Sequence, residues 1–373
     1  MSNSNKLENI SKKLLNQSYP DKINCKFSIP PNVKYKSDIF NSNEYNGEIE
    51  VFLSFKDNKE YLVAKSIKYY QIYIISLIDF EIEEKLDGHN HYITANKYYL
   101  NPKDYNEYLI SGDKEGIVII WDITNNYNLM RRINTNYNGI IYSCLMSFPL
   151  NYEDNYIIIC GHVFPNKDDS SVKIYSLQNI GFLCNVEFAR KNQIYQLLSW
   201  DNRIDGKNYI ILIGDKSNLV YNIFTYQLYA QLKSELGNNN IKGIIYTNQS
   251  NDYLCACSEN EFIDIWDLYN KQYYKTIQLR INFDVSNILN WNDKYIIVID
   301  YWQDKFLVVD LDLGREVSVI PINHKEGITS IKKIYLPLFG ESLLTSGKDE
   351  CIKLWTVRTL SFTDKLIKIY KKK

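Results

Sequence analysis

Histidines, cysteines and clustered carboxylates are the residues of this chain that could carry acid–base, metal or nucleophile chemistry. Four histidines are present, and His162 is followed by Asp168 and Asp169, so a metal site could be drawn there. The spacing follows no known ligand pattern, and a solvated polar loop is the favoured interpretation. Cys255 and Cys257 lie two residues apart, which places both on one face of a strand. Without a second close pair, they are predicted to be buried thiols.

The sequence contains no glycine-rich loop that would hold a phosphate. The stretch ISGDKEG, at 110–116, has the wrong glycine spacing and is interpreted as a hairpin turn. We therefore predict no catalytic residue, no metal site and no cofactor.

Composition limits the partners that the chain can have. A formal net charge of -1 over 373 residues argues against nucleic-acid binding, which needs a strong basic excess. No apolar run is long enough to cross a bilayer, and the polar N-terminus lacks a secretory core, so no membrane insertion is expected. Seven irregularly spaced cysteines indicate reduced thiols and a cytoplasmic location.

A hairpin pattern recurs along the chain. In YLISGDKEGIVIIWDI, at 108–123, two apolar runs flank a polar turn, and the second run ends in Trp-Asp. Clear copies are LCACSENEFIDIWDL, at 254–268, and LLTSGKDECIKLWTV, at 343–357. With weaker copies included, the units close at Ile75, Trp121, Tyr175, Ile223 or Phe224, Trp266, Val309 and Trp355. Units that recur about every 45 residues are typical of a repeat architecture.

Each unit also contains an earlier and a later apolar run, which gives four short strands. Seven such units predict an all-β fold, a seven-bladed β-propeller of four-stranded antiparallel blades. The Gly-His pair at 88–89, the 31 residues after it and the Trp-Asp pair at 121–122 resemble the WD-repeat family. The resemblance covers nearly the whole chain after residue 48 and is specific in units two, five and seven.

The predicted domain boundaries follow from this count. Residues 1–22 are a polar segment, and residues 23–373 form one propeller. Blades are expected near 48–86, 87–134, 138–188, 192–234, 239–280, 283–322 and 324–373. The ring would be closed either by a strand from 23–39, which we favour, or by the C-terminal tail.

The resemblance implies a structural hydrogen-bond network in the best-matched units. In that family a Trp is linked through a Ser or Thr and a His to an Asp. The matching residues are His324, Thr345, Asp349 and Trp355 in the last unit, with Ser346 as an alternative hydroxyl, and His89, Ser111, Glu115 and Trp121 in the second. In unit five, Trp266 keeps its place without a preceding His. These residues are expected to stabilise the fold rather than to catalyse a reaction.

Surface residues remain as candidates for function. Trp200 and Trp291 are interpreted as hydrophobic plugs, with aromatic docking anchors as the alternative. The resemblance implies docking on the face with the connections between blades, where the candidates are Tyr92, Tyr137, Tyr195, Lys242, Asp284, Lys325 and Lys348.

The preferred functional hypothesis is a non-catalytic scaffold that binds other proteins within a multiprotein complex. A ubiquitin-ligase substrate adaptor is one alternative, because Arg358 follows Trp355 by three residues. A propeller-type hydrolase or lyase is another, and it would need several titratable groups around the channel mouth.

Overall fold

The structure, a computed structural model, describes the greater part of the chain. The described residues are 23–28, 49–65, 70–78, 81–136, 139–147, 156–161, 171–177, 182–185, 193–234, 240–248, 251–258, 261–279, 285–292, 294–300, 305–321, 324, 327–336, 340–347 and 352–357.

These residues form short β-strands. In chain order they are β1 Ile23–Ser28, β2 Glu50–Leu53, β3 Glu60–Lys65, β4 Ile72–Ser76, β5 Ile82–Leu86, β6 Ile93–Leu100, β7 Glu107–Asp113, β8 Ile117–Asp122, β9 Asn128–Asn134, β10 Ile141–Ser147, β11 Tyr156–Gly161, β12 Ser171–Ser176, β13 Phe182–Asn185, β14 Ile194–Asn202, β15 Lys207–Gly214, β16 Asn218–Asn222, β17 Leu228–Leu232, β18 Asn240–Asn248, β19 Asn251–Ser258, β20 Phe262–Asp267, β21 Gln272–Gln278, β22 Val285–Asn290, β23 Tyr295–Asp300, β24 Lys305–Asp310, β25 Arg315–Pro321, β26 Ile328–Leu336, β27 Gly340–Gly347 and β28 Ile352–Val357.

The strands assemble into seven four-stranded antiparallel sheets. Six of them take four consecutive strands each, from β2–β5 (blade 1) to β22–β25 (blade 6), and blade 7 has the order β1-β28-β27-β26. The first strands of neighbouring blades contact one another in a closed cycle that ends with β26 against β2. The predicted all-β, seven-bladed β-propeller is therefore confirmed.

Burial follows the position of each strand in its blade. Every residue of β4 and β7 is buried, because neighbouring blades cover both faces of the middle strands. The fourth strands β9 and β25 instead consist mainly of exposed and partly buried residues, with one buried position each. Continuous apolar runs such as IVII therefore mark the interior of the ring, and mixed runs mark its rim.

A β-bulge aligns the closing positions of the blades. The pairing between the third and fourth strands shifts register just before Ile75, Trp121, Tyr175, Trp266 and Val309. In blade 4 the same shift lies between Val220 and Tyr221. The closing residue of that blade is therefore Tyr221, and the expected Ile223 or Phe224 is wrong, because no Trp marks the position in the sequence.

An N-terminal strand completes the last blade. Strand β1 pairs antiparallel with β28, so that Ile23 lies opposite Val357 and Cys25 lies opposite Trp355. The chain thus supplies the outer strand of blade 7 from its beginning and the other three strands from its end.

The antiparallel order puts the loops on two faces. Turns between first and second strands, such as 54–59 and 101–106, emerge at the same end as turns between third and fourth strands, and we call this end the turn face. Connections between blades, such as 87–92, emerge at the opposite end together with second-to-third-strand turns such as 114–116, and we call this end the connection face.

Candidate functional site

A buried chain of hydrogen bonds links the elements of blade 2. The indole N–H of Trp121 donates to Ser111 Oγ at 2.9 Å, and Ser111 Oγ lies 2.8 Å from His89 Nε2. The other ring nitrogen, Nδ1, lies 2.9 Å from Asp113 Oδ2. Because a carboxylate only accepts, the imidazole Nδ1–H points to Asp113, and the unprotonated Nε2 of a neutral ring then accepts the Ser111 O–H. All four residues are buried, so the network satisfies polar groups in the core.

The carboxylate of this network is not the residue that the sequence pattern predicted. Glu115 is exposed in the turn, and its main-chain N–H donates to Asp113 Oδ1 at 3.0 Å. Ile117 N donates to the same oxygen at 2.9 Å. Asp113, at the end of β7, therefore binds the histidine with one oxygen and closes the turn with the other, which leaves no place for Glu115.

Blade 7 contains the same arrangement in its described part. Trp355 Nε1 donates to Thr345 Oγ1 at 2.8 Å, and His324 Nε2 lies 2.8 Å from that oxygen. Ser346, the alternative hydroxyl, instead lies 2.9 Å from Thr329 Oγ1. Asp349 lies outside the described residues.

The tryptophan of blade 5 is satisfied in another way. Trp266 Nε1 donates to the main-chain carbonyl of Lys233 at 3.1 Å, just beyond the outer strand of blade 4. The indole is buried, and this bond across the blade boundary replaces the histidine network.

The docking candidates from the sequence are placed only in part. Tyr92 lies in the connection before β6. Its ring is edge-on to the Tyr70 ring, and the two ring centroids are 5.3 Å apart. Tyr195 is the extra residue of the bulge in β14, and Lys242 follows the equivalent bulge in β18. Both are partly buried on innermost strands. The other four candidates, Tyr137, Asp284, Lys325 and Lys348, lie outside the described residues, as do His162, Asp168, Asp169 and Arg358.

Trp200 and Trp291 are both buried, at 3% and 1% exposure, as expected of plugs. Lys333 Nζ lies 4.5 Å from the centroid of the Trp291 ring and donates to its carbonyl at 2.7 Å. Neither indole is available as a docking anchor.

Carboxylates at the start of second strands join neighbouring blades, a feature that we did not predict. Glu107 of β7 is fully buried and accepts hydrogen bonds from Ser54 Oγ at 3.1 Å and Phe55 N at 2.8 Å, both in the turn of blade 1. It also accepts a bond from the Tyr98 hydroxyl at 2.8 Å. One side chain therefore holds the turn of blade 1 against blade 2.

Asp252 has the same role between blades 4 and 5. Its Oδ2 accepts hydrogen bonds from Trp200 Nε1 at 3.1 Å and the Tyr269 hydroxyl at 2.6 Å. Its Oδ1 lies 2.7 Å from Arg203 Nη2 and also accepts a bond from Thr247. Burial would raise the pKa of Asp252, but these donors and the Arg203 charge hold it below its usual value.

Glu60 occupies the equivalent place at the junction of blades 7 and 1. Burial raises the pKa of Glu60 to about 7, and a hydrogen bond from the Tyr335 main chain lowers it in part. Among the described residues, its buried Oε2 finds no hydrogen-bond partner. The repeated strings EYLVA, EYLIS and DYLCA, which begin at Glu60, Glu107 and Asp252, are the sequence signal for these carboxylates.

A charged triad spans three inner strands. Glu50 of blade 1 lies 2.6 Å from Lys332 Nζ of blade 7 and 3.0 Å from Lys97 Nζ of blade 2. Burial would raise the pKa of Glu50, but the two ammonium groups hold it below its usual value. The triad thus links blade 7, in which the ring closes, to blades 1 and 2.

The described cysteines are core residues. Cys255 and Cys257 are fully buried and unpaired in one apolar cluster, and burial raises the pKa of both thiols. In the described part of the chain, no group of three or more His, Cys, Asp or Glu side chains could hold a metal ion. No helix among those residues is long and apolar enough to span a membrane.

Exposed apolar side chains are unevenly distributed. Within the described ranges, every large one lies either at the turn face or on an outer fourth strand. Those at the turn face are Leu53, Phe55, Ile78, Tyr105, Ile204, Tyr226, Leu313 and Tyr335. The three described docking candidates, Tyr92, Tyr195 and Lys242, lie toward the connection face, so these exposed apolar side chains form a second surface that the repeat pattern did not indicate.

Comparisons with known proteins agree with the fold. No protein-family model and no curated protein matches the chain. Among solved structures 1445 chains match, so likeness to one of them identifies a common architecture and not a role. The crystal structure of BBS1N in complex with ARL6DN has a TM-score of 0.65 and covers 90% of this chain and 97% of that chain at 11% identity. At this identity the likeness shows a shared β-propeller fold.

Proposed function

We propose that the chain is a non-catalytic scaffold that docks other proteins on the loops of its propeller faces within a multiprotein complex. The observation that carries this proposal is the concentration of large exposed apolar side chains at the turn face of a closed ring. Ile204 is 73% exposed, Ile78 is 65% exposed and Leu313 is 58% exposed. Apolar residues held on turns of a rigid scaffold are typical of protein-docking surfaces.

The structural neighbour supports the same proposal. BBS1N, which shares the propeller fold, was solved in complex with ARL6DN, a second protein. By analogy, we expect this chain to act through protein contacts rather than through a reaction. We also propose that it is a divergent WD-repeat propeller, since blades 2 and 7 retain the Trp-to-His hydrogen bonds. A cytoplasmic location agrees with the buried thiols of Cys255 and Cys257, which form no disulfide.

Affinity purification of the full chain with lysine-reactive cross-linking and mass spectrometry tests the scaffold role. Lys59, Lys271 and Lys294 report on the turn face, and Lys216 reports on the connection face. We expect at least one stoichiometric partner, cross-linked to lysines of one face. Recovery of the chain alone, at several salt concentrations, would contradict the proposal.

The same purification separates the alternatives. Recovery of a cullin-type ligase would favour the substrate adaptor. Turnover of an ester or glycoside panel, abolished by substitution of one carboxylate, would favour the hydrolase or lyase.

A further inference from the structure

Two aromatic rings from neighbouring blades stand side by side on the turn face. Phe55 lies in the turn 54–59 of blade 1, and Tyr105 lies in the turn 101–106 of blade 2. Their ring centroids are 4.6 Å apart, and the ring planes differ by 9°. Phe55 is 40% exposed and Tyr105 is 51% exposed, so the pair is stacked yet open to solvent.

The pair is held in place by main-chain contacts. Phe55 N donates to the buried Glu107 at 2.8 Å, and Tyr105 N donates to Asn101 O at 2.8 Å. Such anchoring removes conformational freedom before a partner binds.

Tyr105 adopts a backbone conformation that does not suit its side chain. Its φ is +60°, in the left-handed region, whereas Asn58 and Gly206 occupy the same position of the equivalent turns, with φ of 58° and 68°. Asn and Gly tolerate this region better than an aromatic residue does. The fold therefore keeps an exposed aromatic where Asn or Gly would fit better.

The charges around the pair are mainly negative. Segments 54–59, 81–84, 101–106 and 122–127 contain the carboxylates Asp57, Glu81, Glu83, Glu84, Asp104 and Asp122, against the lysines Lys56, Lys59 and Lys103. Lys56 Nζ donates to Thr124 O at 3.2 Å, and Lys59 Nζ lies 3.7 Å from Asp57. Both lysines of the blade 1 turn therefore contact groups of the surface itself.

Several of these carboxylates act on one point. Burial raises the pKa of Tyr127, and the nearby charges of Glu83, Asp57, Glu107 and Glu84 raise it further. The turn face at the boundary of blades 1 and 2 thus carries a negative potential beside the aromatic pair.

We propose that the Phe55–Tyr105 pair is the docking site for an arginine-bearing segment of a partner protein. The guanidinium stacks on the exposed rings while the surrounding carboxylates attract its charge. A planar guanidinium suits the flat rings better than an ammonium does. The inference rests on the proposed scaffold function and names the chemistry of the partner.

Fluorescence anisotropy with labelled peptides tests the proposal on the full chain. The probes are Gly-Arg-Gly-Arg-Gly-Arg and its analogue with citrulline, which keeps the shape without the charge, at 50 and 300 mM salt. We expect the arginine peptide to bind more tightly than the citrulline peptide. Its affinity should fall as the salt concentration rises.

Two matched variants locate the binding. Tyr226 has the same left-handed conformation in the turn between the third and fourth strands of blade 4, with φ of 54° and 36% exposure. Both Tyr105→Asn and Tyr226→Asn should raise Tm by about 1–2 °C, because Asn tolerates a positive φ better than Tyr. Only Tyr105→Asn should weaken the affinity for the arginine peptide, by roughly 5- to 20-fold.

Equal binding of the arginine and citrulline peptides would overturn the proposal, as would equal effects of the two substitutions. A partner cross-linked through other turns, while the arginine peptide fails to bind, overturns this inference and leaves the scaffold function standing. Failure to recover any partner overturns the scaffold function itself.

Discussion

The carboxylate of Glu107 accepts the main-chain N–H of Phe55 at 2.8 Å across the boundary between blades 1 and 2. The two residues are 52 positions apart and belong to different sheets. The bond couples the interior of one blade to an exposed turn of its neighbour. Core stability and the geometry of the turn face are therefore properties of the same contact.

Glu107→Gln is expected to destabilise the fold by about 1.5–3 kcal/mol. The amide nitrogen cannot accept a hydrogen bond, so at least one of the donors Ser54, Phe55 and Tyr98 loses its partner in a buried site. Urea denaturation measures the change, and amide hydrogen exchange at Phe55 should accelerate. Glu84→Gln, on the exposed strand β5, is the control and should shift stability by less than about 0.5 kcal/mol. Equal stability of the two variants would argue against the interblade role.

Asp113→Ala should cost about 2–4 kcal/mol, whereas Glu115→Ala should cost less than about 0.5 kcal/mol. Asp113 is buried against His89 and two turn amides, while Glu115 is exposed. Thermal and urea unfolding of the two variants in parallel check the assignment. The opposite ranking would restore Glu115 as the acceptor.

His324→Ala is expected to lower stability by about 1–3 kcal/mol without abolishing partner binding. The histidine is buried, and its loss removes the bond to Thr345, which also accepts the Trp355 indole. A variant that melts like the parent, or that folds normally but loses its partner, would show that the residue is not structural.

Glu60 should make stability depend on pH. Its pKa is about 7 in the fold against 4.5 for an ordinary glutamate, so the folded state holds the proton more tightly. Stability contributed by this group is then present below pH 4.5 and is lost as the pH rises toward 7. The side chain in Glu60→Gln stays neutral, so the free energy of unfolding of this variant should exceed that of the parent by about 1 kcal/mol at pH 8. This value is reduced because solvent reaches part of the side chain and screens its charge. The difference should vanish at pH 4.5.

Urea titrations of the parent and Glu60→Gln at pH 4.5, 6 and 8 provide the measurement. An advantage of the variant that is the same at every pH would mean that Glu60 does not titrate in this range.

Gly112→Ala should destabilise the contact between blades 2 and 3 by about 1–3 kcal/mol. A Cβ at this position would lie 2.5 Å from Ile141 Cγ2 and 2.8 Å from Ile141 Cβ. In a double-mutant cycle with Ile141→Ala, the double variant should lose less stability than the sum of the two single losses, because the added methyl fills part of the space that the Ile141 side chain leaves. Additive losses in the double variant would show that the clash is relieved elsewhere.

The fold could be predicted because each repeat contains residue types that are recognisable in the sequence. Trp121, Trp266 and Trp355 end third strands at multiples of about 45 residues, and the buried middle strands read as continuous apolar runs. Blade 4 was harder, since Tyr221 replaces Trp and the closing residue was placed two or three positions too late. A bulge sets that register, and a bulge leaves little trace in the residue types.

The hydrogen-bond network and the aromatic pair were harder to predict from the sequence. The network depends on the direction of one side chain, and the aromatic pair joins different repeats. Glu115 stands at the position where the family pattern has its acid, and only the inward direction of Asp113 shows which carboxylate reaches the histidine. Phe55 and Tyr105 are 50 residues apart, in turns that look like ordinary polar loops. The spatial order of the blades makes them neighbours, and residue spacing within one repeat cannot reveal that.

The pairing of β1 with β28 sets the order of events during biosynthesis. Cys25 meets Trp355 only after about 330 further residues have been made. At typical translation rates of roughly 5–20 residues per second, the first strand waits on the order of 20–60 s before its partner leaves the ribosome. During that interval the nascent ring is an open arc with two unsatisfied strand edges. Pairing of β1 with β28 is therefore the last step that closes these edges against association with another chain.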